Sequence, residues 1–421
     1  MWKFHRSMSR PYFSRDRISH FANFARHSDL AISKILTRLN EHSRPGMPVA
    51  VDFQDLVARF TLDSGTEFLF GRDVCSLDAS LPYPHGKTKD NSASFAAAFG
   101  RAQESLTHRI ALGHLWSWTE LFWNRTEQDM DVIDAYVTPL LKKKLEHKRA
   151  LALDDKFKAA PSSGTEEGED TLLDHLIQFT DDISVIKDEL INILVAARDT
   201  TASTLTFAVY VLAENPKIMA KLRSEILSHL GTSNHPTPED FKEMKYLRAV
   251  INETLRLFPA VPVNERTAIK STVFQSGGKK YYIPAGATMP YSVFHMHRRK
   301  DLWGPDAQEF DPERWLDDRL KKYVTPNPFI FLPFNAGPRI CLGQQFAYNE
   351  ASYFLSRLLQ RVESLAIVPE AYPAGTLPPP EWKNGKGRQV YEKVWPKSHL
   401  TIYCNGGLWV KMKEANTLSE L

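Results

Sequence analysis

Cys341 lies in the stretch Phe334-Asn335-Ala336-Gly337-Pro338-Arg339-Ile340-Cys341-Leu342-Gly343, in which Arg339 is the one charged residue. A lone cysteine usually just packs, because free cysteine is among the most buried residue types. The neighbours here change that reading. Gly337 and Pro338 force a tight turn, and Gly343 lets backbone approach closely behind the sulfur. A helix expected from Leu342 places the sulfur at its N-terminal end, where unpaired N–H groups and the helix dipole favour a thiolate.

Three other groups carry chemistry. Glu253 and Arg256 stand three apart in AVINETLRLFPAVP. Such pairs are usually solvated and worth a few tenths of a kcal/mol. The apolar surroundings predict a buried pair instead, which needs its remaining hydrogen-bond capacity met. Arg314, in Phe310-Asp311-Pro312-Glu313-Arg314-Trp315, is the candidate partner. Asp199 and Thr200 fall inside a long apolar helical run. A mid-helix threonine often bonds the i−4 carbonyl, whereas an aspartate there costs stability unless it has a task. His295 and His297 suggest a metal pair but are read as packing.

These residues need a scaffold. The chain has 421 residues, 43% apolar and 24% charged, an ordinary globular balance read here as one domain over residues 1–421. A net charge of +3 is too small to argue for a nucleic-acid partner, although Lys3, Arg6, Arg10, Arg15, Arg17 and Arg26 face one early acid, Asp16. Cys75, Cys341 and Cys404 are odd in number, widely spaced and without a CxxC pair. They argue against a disulfide framework or a zinc site and for a reducing compartment. No apolar run reaches the roughly 18 residues of a membrane span, and no internal repeat is visible.

Apolar residues recur at helical spacing in DLAISKILTRL and QDLVARFTLDSGTEFLF. Residues 154–170 read as a mobile loop. A long helix is expected from about Ser184 to Glu214, stopping before Pro216 and spanning on the order of 45 Å. Further helices are expected over about Pro238 to Leu257, and strands over Tyr281 to Ile283 and Leu400 to Cys404. Trp303 to Pro333 reads as irregular. The aromatic stretch from Arg109 to Trp123 is expected to pack into the core, the alternative being a membrane-dipping entry for lipid substrates. The fold class is mainly α with small β-sheets.

A thiolate in an apolar loop, open on one side, is what a single-cysteine ligand to haem iron requires. The stretch from Phe334 to Gly343 matches FxxGxRxCxG and resembles the haem-binding loop of the cytochrome P-450 superfamily. The resemblance implies the P-450 fold and haem b (iron protoporphyrin IX), with Cys341 as the axial metal ligand and Gly343 in the same cofactor-binding loop. Phe334 would shield the sulfur and Arg339 would meet a haem propionate. Glu253, Arg256 and Arg314 resemble the ExxR helix and its downstream arginine, a structural trio that fixes the cysteine loop. Ala196 to Thr201 resemble the [AG]GxDTT segment over the distal face. There Thr200 would hydrogen-bond at the oxygen and Asp199 would feed protons inward. Ala197 stands where the family usually has glycine, which narrows the groove slightly. Trp2 and Arg6 resemble the WxxxR helix, and Arg266 in PVNERTA stands where another propionate arginine is often found.

The implied activity is a monooxygenase that places one oxygen atom of O2 into a C–H bond of a hydrophobic substrate. MWKFHRSMSRPYFSRDRI, LDSGTEFLFG and AARDTTAS are similar to fungal P-450s that hydroxylate n-alkanes and fatty acids, and Ala260, Val261 and Val263 would give the pocket an apolar wall. Electrons would come from a separate NADPH-dependent flavoprotein reductase docking on the cysteine side. The implied location is the cytosolic face of the endoplasmic reticulum membrane. Two competing readings are a thiolate-haem isomerase, dehydratase or peroxide-driven enzyme, against which Asp199-Thr200 argues, and a non-catalytic remnant. The resemblance also implies an anchor, first helices, edge strands and a substrate-covering loop ahead of the WxxxR helix. Residues 1–421 are therefore expected to present an unpaired sheet edge and an open cleft, and to hold haem weakly.

Overall fold

The computed structural model describes residues 2–14, 18, 21–41, 48–86, 94–154 and 171–415. Its principal helices are α1 (Trp2–Ser9), α2 (Ala22–Asn40), α3 (Phe53–Phe70), α4 (Phe95–Leu112), α5 (Glu127–Asp154), α6 (Ile183–Glu214), α7 (Pro216–Leu230), α8 (Lys245–Leu257) and α9 (Gln344–Arg361). The strands are short. β1 (Val51–Asp52), β9 (Trp409–Glu414) and β6 (Val362–Ile367) form an antiparallel sheet in that order. β2 (Val263–Thr267) pairs with β5 (Thr288–Ser292), β3 (Thr272–Ser276) with β4 (Lys279–Ile283), and β7 (Pro396–Ser398) with β8 (Ile402–Cys404). The expected class, mainly helical with small sheets, is the observed one. Apart from Asp154 at the end of α5, the loop expected over 154–170 lies outside the described residues.

Local chemistry sets the boundaries. Asp52 starts α3 by accepting from the Gln54 and Asp55 amides, and Gly71 ends it in a left-handed conformation at φ +77°. Asp182 caps α6 in the same way, and Asn215-Pro216 stops it by opening α7. From Thr201 to Leu212 every α6 side chain is buried. A helix buried all round must run through the middle of the molecule. Around it Phe207 stacks on Phe258 with ring centres 4.5 Å apart, while α3 and α9 meet through Phe60 and Phe354 at 4.7 Å. Helices α3, α6 and α9 are thus the frame on which any site near Cys341 or Thr200 hangs.

Two expectations on the surface need correction or extension. The segment after α4 does not pack into the core. Arg109 clamps Glu120 through two bonds of 2.9 and 2.6 Å and reaches Asn124 at 2.8 Å, which turns the segment back on itself. The clamp satisfies the polar groups and leaves the apolar ones facing out, so Trp118 is 78% exposed and Phe122 87%. Leu115, Leu121 and Trp123 join them in one exposed apolar patch. The second region is the pair of hairpins. Gly277 and Gly278 both take positive φ, as a two-residue hairpin turn requires. Yet Val273, Phe274 and Tyr282 on β3 and β4 are each more than half exposed.

Candidate functional site

The cysteine loop is a closed turn. The Cys341 amide donates to the Phe334 carbonyl at 2.9 Å, and the Ile340 amide to the Gly337 carbonyl at 3.0 Å. Closing it takes positive φ at Asn335 and Gly337. Asn335 pays for that conformation through its side chain, which accepts from the Ala336 amide at 3.1 Å and the Tyr291 hydroxyl at 2.9 Å. β5 thereby holds the loop.

Helix α9 begins at Gln344, not Leu342, with Gly343 as its cap. The sulfur therefore stands before the helix rather than on its first turn, and the expected thiolate activation does not follow. Burial pushes the Cys341 thiol up; the Gly343 amide and the Arg6 charge pull the other way without reversing it. The residue is exposed only in the sense that it faces a cleft. A bound cation would hold the thiolate where the free protein holds a thiol. Gly343 also differs from expectation. A Cβ there would meet nothing closer than a Phe13 ring carbon at 4.0 Å, so no protein packing requires glycine. What a side chain would enter is cleft space.

That cleft encloses about 400 Å³. One wall is the loop, with Phe334, Arg339, Cys341 and Gly343; the facing wall is α6, with Ala196, Ala197, Thr200, Thr201 and Thr204. Ala260 and Val261 line it, as expected from the apolar run after α8; Val263, also expected there, points to solvent and is 53% exposed. At the rim, the Arg6 guanidinium donates to the Ile340 carbonyl at 2.9 Å, and Arg339 lies 4.5 Å over the Trp2 ring. Trp2, Arg6 and Arg339 thus come together beside Cys341. Arg266 does not join them: it lies exposed on β2, bonded to the Glu265 carbonyl at 2.7 Å and 5.5 Å from the Tyr291 ring.

Asp199 and Thr200 part company. Thr200 faces the cleft, its hydroxyl donating to the Ala196 carbonyl at 2.6 Å. Asp199 faces a separate cavity of about 210 Å³ between α3, α4 and the β7–β8 hairpin, and its carboxylate lies 3.5 Å from Arg198. Adjacent helix positions are 100° apart, which accounts for the split.

Glu253, Arg256 and Arg314 are wholly buried together. Arg256 donates to both Glu253 oxygens at 2.8 Å, and Arg314 and the Trp315 indole each add a bond at 3.0 Å. Arg256 also reaches the carbonyls of His297, Ala307 and Glu309. Burial alone would raise the Glu253 carboxyl; the two guanidinium groups overcome it and hold it low. His297 extends the network to the cysteine loop. Its Nδ1 donates to the Arg256 carbonyl at 3.1 Å, and its Nε2 accepts from the Leu332 amide at 2.9 Å, which fixes the neutral form. It packs, as read from the sequence.

Burial, and then the Arg256 charge, bring the His297 pKa down from 6.5 to about 3. Between those values the unfolded chain binds a proton that the folded one refuses, so stability rises with pH across the window and is lost on acidification. Urea midpoints measured from pH 7 downward should fall below pH 6.5, and His297→Gln should flatten that slope. An unchanged slope would show that His297 is not the acid-sensitive group.

Several lining residues were not singled out from sequence, among them Gly65, Phe68, Phe346 and Tyr348. Gly65 had a signal, a glycine inside a helical pattern, and a Cβ there would press on Leu194 at 3.3 Å. Phe346 stacks against Phe68 at 4.7 Å and Tyr348 against Phe334 at 5.1 Å, so the aromatic residues of α9 back the loop. The donor set fits haem. A sulfur stands on one wall of an apolar slot, a glycine leaves the adjoining space open, and two guanidinium groups sit at the rim where an anionic edge would lie.

Comparison with known proteins bears on the same residues. The sequence model of the family described as Cytochrome P450 matches residues 1–370. Cytochrome P450 52A3-A of Candida maltosa is 38% identical over 387 residues, covering 88% of this chain and 69% of its own. Cytochrome P450 52A6 of Candida tropicalis is 36% identical over 422 residues, covering 98% and 72%. Cytochrome P450 52E1 of Candida apicola is 37% identical over 382 residues, covering 87% and 68%.

Proposed function

From the premise that the chain belongs to the cytochrome P450 family, as a haem-dependent monooxygenase using O2 and a hydrophobic substrate, we propose that it hydroxylates n-alkanes or fatty acids. The observation that carries this reading is the cleft itself. Ile193, Ile251, Leu255, Ala260 and Val261 line it between the cysteine loop and α6, with few polar groups to satisfy in a guest. When bound, the haem supplies the oxygen-activating chemistry, and the chain's residues set its surroundings. Cys341 offers the sulfur to the iron, Phe334 and Tyr348 keep water from that side, and Arg6, Arg339 and Trp2 hold the propionate edge. Thr200 presents a hydroxyl to the reaction side. Its donor is committed to Ala196, so its free lone pairs accept a hydrogen bond there. Asp199 draws protons from the cavity behind α6.

Titrating the haem-loaded protein with alkanes and fatty acids of rising length tests the substrate. Burying each CH2 is worth about 0.8 kcal/mol, or roughly fourfold in affinity. The spin-state shift should therefore appear at lower concentration as the chain grows. Affinity independent of chain length would sink the proposal.

The reductase we infer to be an NADPH-dependent flavoprotein that meets the side of the loop opposite the cleft. Lys242, Lys245 and Arg248 border a groove along α9, and that groove shares Phe13 and Tyr348 with the cleft. A cationic rim suits an acidic partner. The endoplasmic reticulum membrane is the location we propose, with the Trp118–Phe122 patch laid on its surface. Among the described residues no helix is long and apolar enough to cross a membrane. Vesicle flotation should weaken strongly in a Trp118→Ser, Phe122→Ser variant; equal flotation would refute contact through this patch.

A further inference from the structure

A cluster of metal-ligand side chains lies away from the haem cleft. His27 on α2 is 1% exposed, yet its Nε2 turns toward two carboxylates. It stands 2.5 Å from Glu67 Oε2, near the end of α3, and 4.0 Å from Asp73 Oδ2, in the turn that follows. The three ligand atoms all lie within 4.8 Å of one another. None of these residues lines the cleft.

The turn that brings Asp73 back over His27 is fixed from several sides. The Gly71 amide donates to the Glu67 carbonyl at 2.8 Å, and a Cβ on Gly71 would press on Thr171 at 2.9 Å. The Tyr136 hydroxyl of α5 bonds the Arg72 carbonyl at 2.7 Å and that of Asp73 at 3.1 Å. Further on, the Asp63 carboxylate accepts from the Ser76 and Leu77 amides, each at 2.8 Å. The Cys75 thiol donates to Asp73 Oδ1 at 3.2 Å, which leaves Oδ2 for the gap beside His27. Carboxylates that ligate metals are oriented in this way, by a hydrogen bond on the oxygen that does not bind.

We propose that His27, Glu67 and Asp73 form a binding site for a divalent cation of the zinc class, independent of the haem. One imidazole nitrogen and two carboxylate oxygens, with water in the fourth position, make a tetrahedral set. The imidazole disfavours Mg2+ and Ca2+, which take oxygen ligands. Turning the two carboxylates brings all three atoms to the roughly 2.0–2.2 Å that such ligands keep from Zn2+. The cation takes the place of the proton between His27 Nε2 and Glu67. Arg26 is the competitor, since its guanidinium pairs with Glu67 Oε1. That side chain is 57% exposed, and pairs of exposed groups hold weakly. A bound cation joins α2 to the end of α3 and to the turn, and so favours the folded chain by mass action.

Equilibrium dialysis of the haem-loaded chain against Zn2+, after stripping with a chelator, tests the site. The parent should hold one Zn2+ per chain and gain a higher urea midpoint, which Mg2+ or Ca2+ at the same concentration should not reproduce. X-ray absorption at the zinc edge should show nitrogen and oxygen neighbours without sulfur. His27→Gln should bind about tenfold more weakly or worse. A parent that holds no zinc, sulfur among the neighbours, or undiminished binding by His27→Gln overturns the proposal. Should His27→Gln fail to fold, Asp73→Asn serves instead, since that side chain is partly exposed and keeps an acceptor for the Cys75 thiol. It too should lose about tenfold, and retained affinity refutes the site.

Discussion

Replacing Cys341 with serine should abolish the red-shifted Soret band of the reduced carbonyl complex, while Cys75→Ser and Cys404→Ser should leave it intact. The shifted band needs a thiolate bound to the iron, and a serine hydroxyl in the same turn cannot supply one. Cys404 is buried and, like Cys75, absent from the cleft lining, so neither can stand in for the lost sulfur. The free protein adds a second expectation. Since burial keeps the Cys341 thiol above its ordinary range, an alkylating reagent should label it slowly in the apoprotein at pH 7 despite the open cleft. Cys75 should also be slow. The Asp73 carboxylate that accepts its S–H bond holds its pKa up at about 11. A normal shifted band in Cys341→Ser would remove the loop from the candidate site altogether.

How much of this was legible depended on whether a role is written in adjacent residues or in a helix face. The loop from Phe334 to Gly343 concentrates its specified positions in ten residues, and the structure closes it as one turn. The Glu253–Arg256 pair was legible because an apolar run surrounds it, which is incompatible with a solvated ion pair. Other features depend on rotation about an axis. That Thr200 and Asp199 face different cavities follows from 100° per residue, yet their adjacency in the chain suggested one shared task. The patch from Leu115 to Trp123 misled for a different reason. Its aromatic density read as core, but the Arg109–Glu120 clamp that turns it outward joins residues eleven apart and has no periodicity to betray it. The thiolate expectation failed by a two-residue error in the start of α9, the kind of boundary that local pattern fixes least well.

The largest losses of stability are expected in the buried network around Glu253. Its two oxygens accept from Arg256, Arg314, Trp315 and the Asp311 amide, and the three charged side chains are at most 2% exposed. Such a network adds little net stability over an apolar core while intact. Breaking it is another matter, because removing one member leaves uncompensated charge in the interior, at about 3–5 kcal/mol. Glu253→Gln keeps the shape, removes the charge, strands the Arg256 guanidinium and leaves Arg314 with Asp306, at 3.2 Å, as its carboxylate partner. Set against a total of roughly 5–15 kcal/mol for a folded protein, that is a large share of what holds the chain together. Arg256→Ala should be at least as severe, since the carbonyls of His297, Ala307 and Glu309 lose their donor as well. The paired variant should cost less than the sum of the two, because each change removes the same charge pair. Haem retention should fall along with the urea midpoint, since Arg256 and His297 tie the ExxR helix to Leu332, just before the cysteine loop. A Glu253→Gln protein that unfolds at the parent's urea concentration, or that unfolds early but keeps its haem as firmly, would separate this network from the loop it is argued to hold.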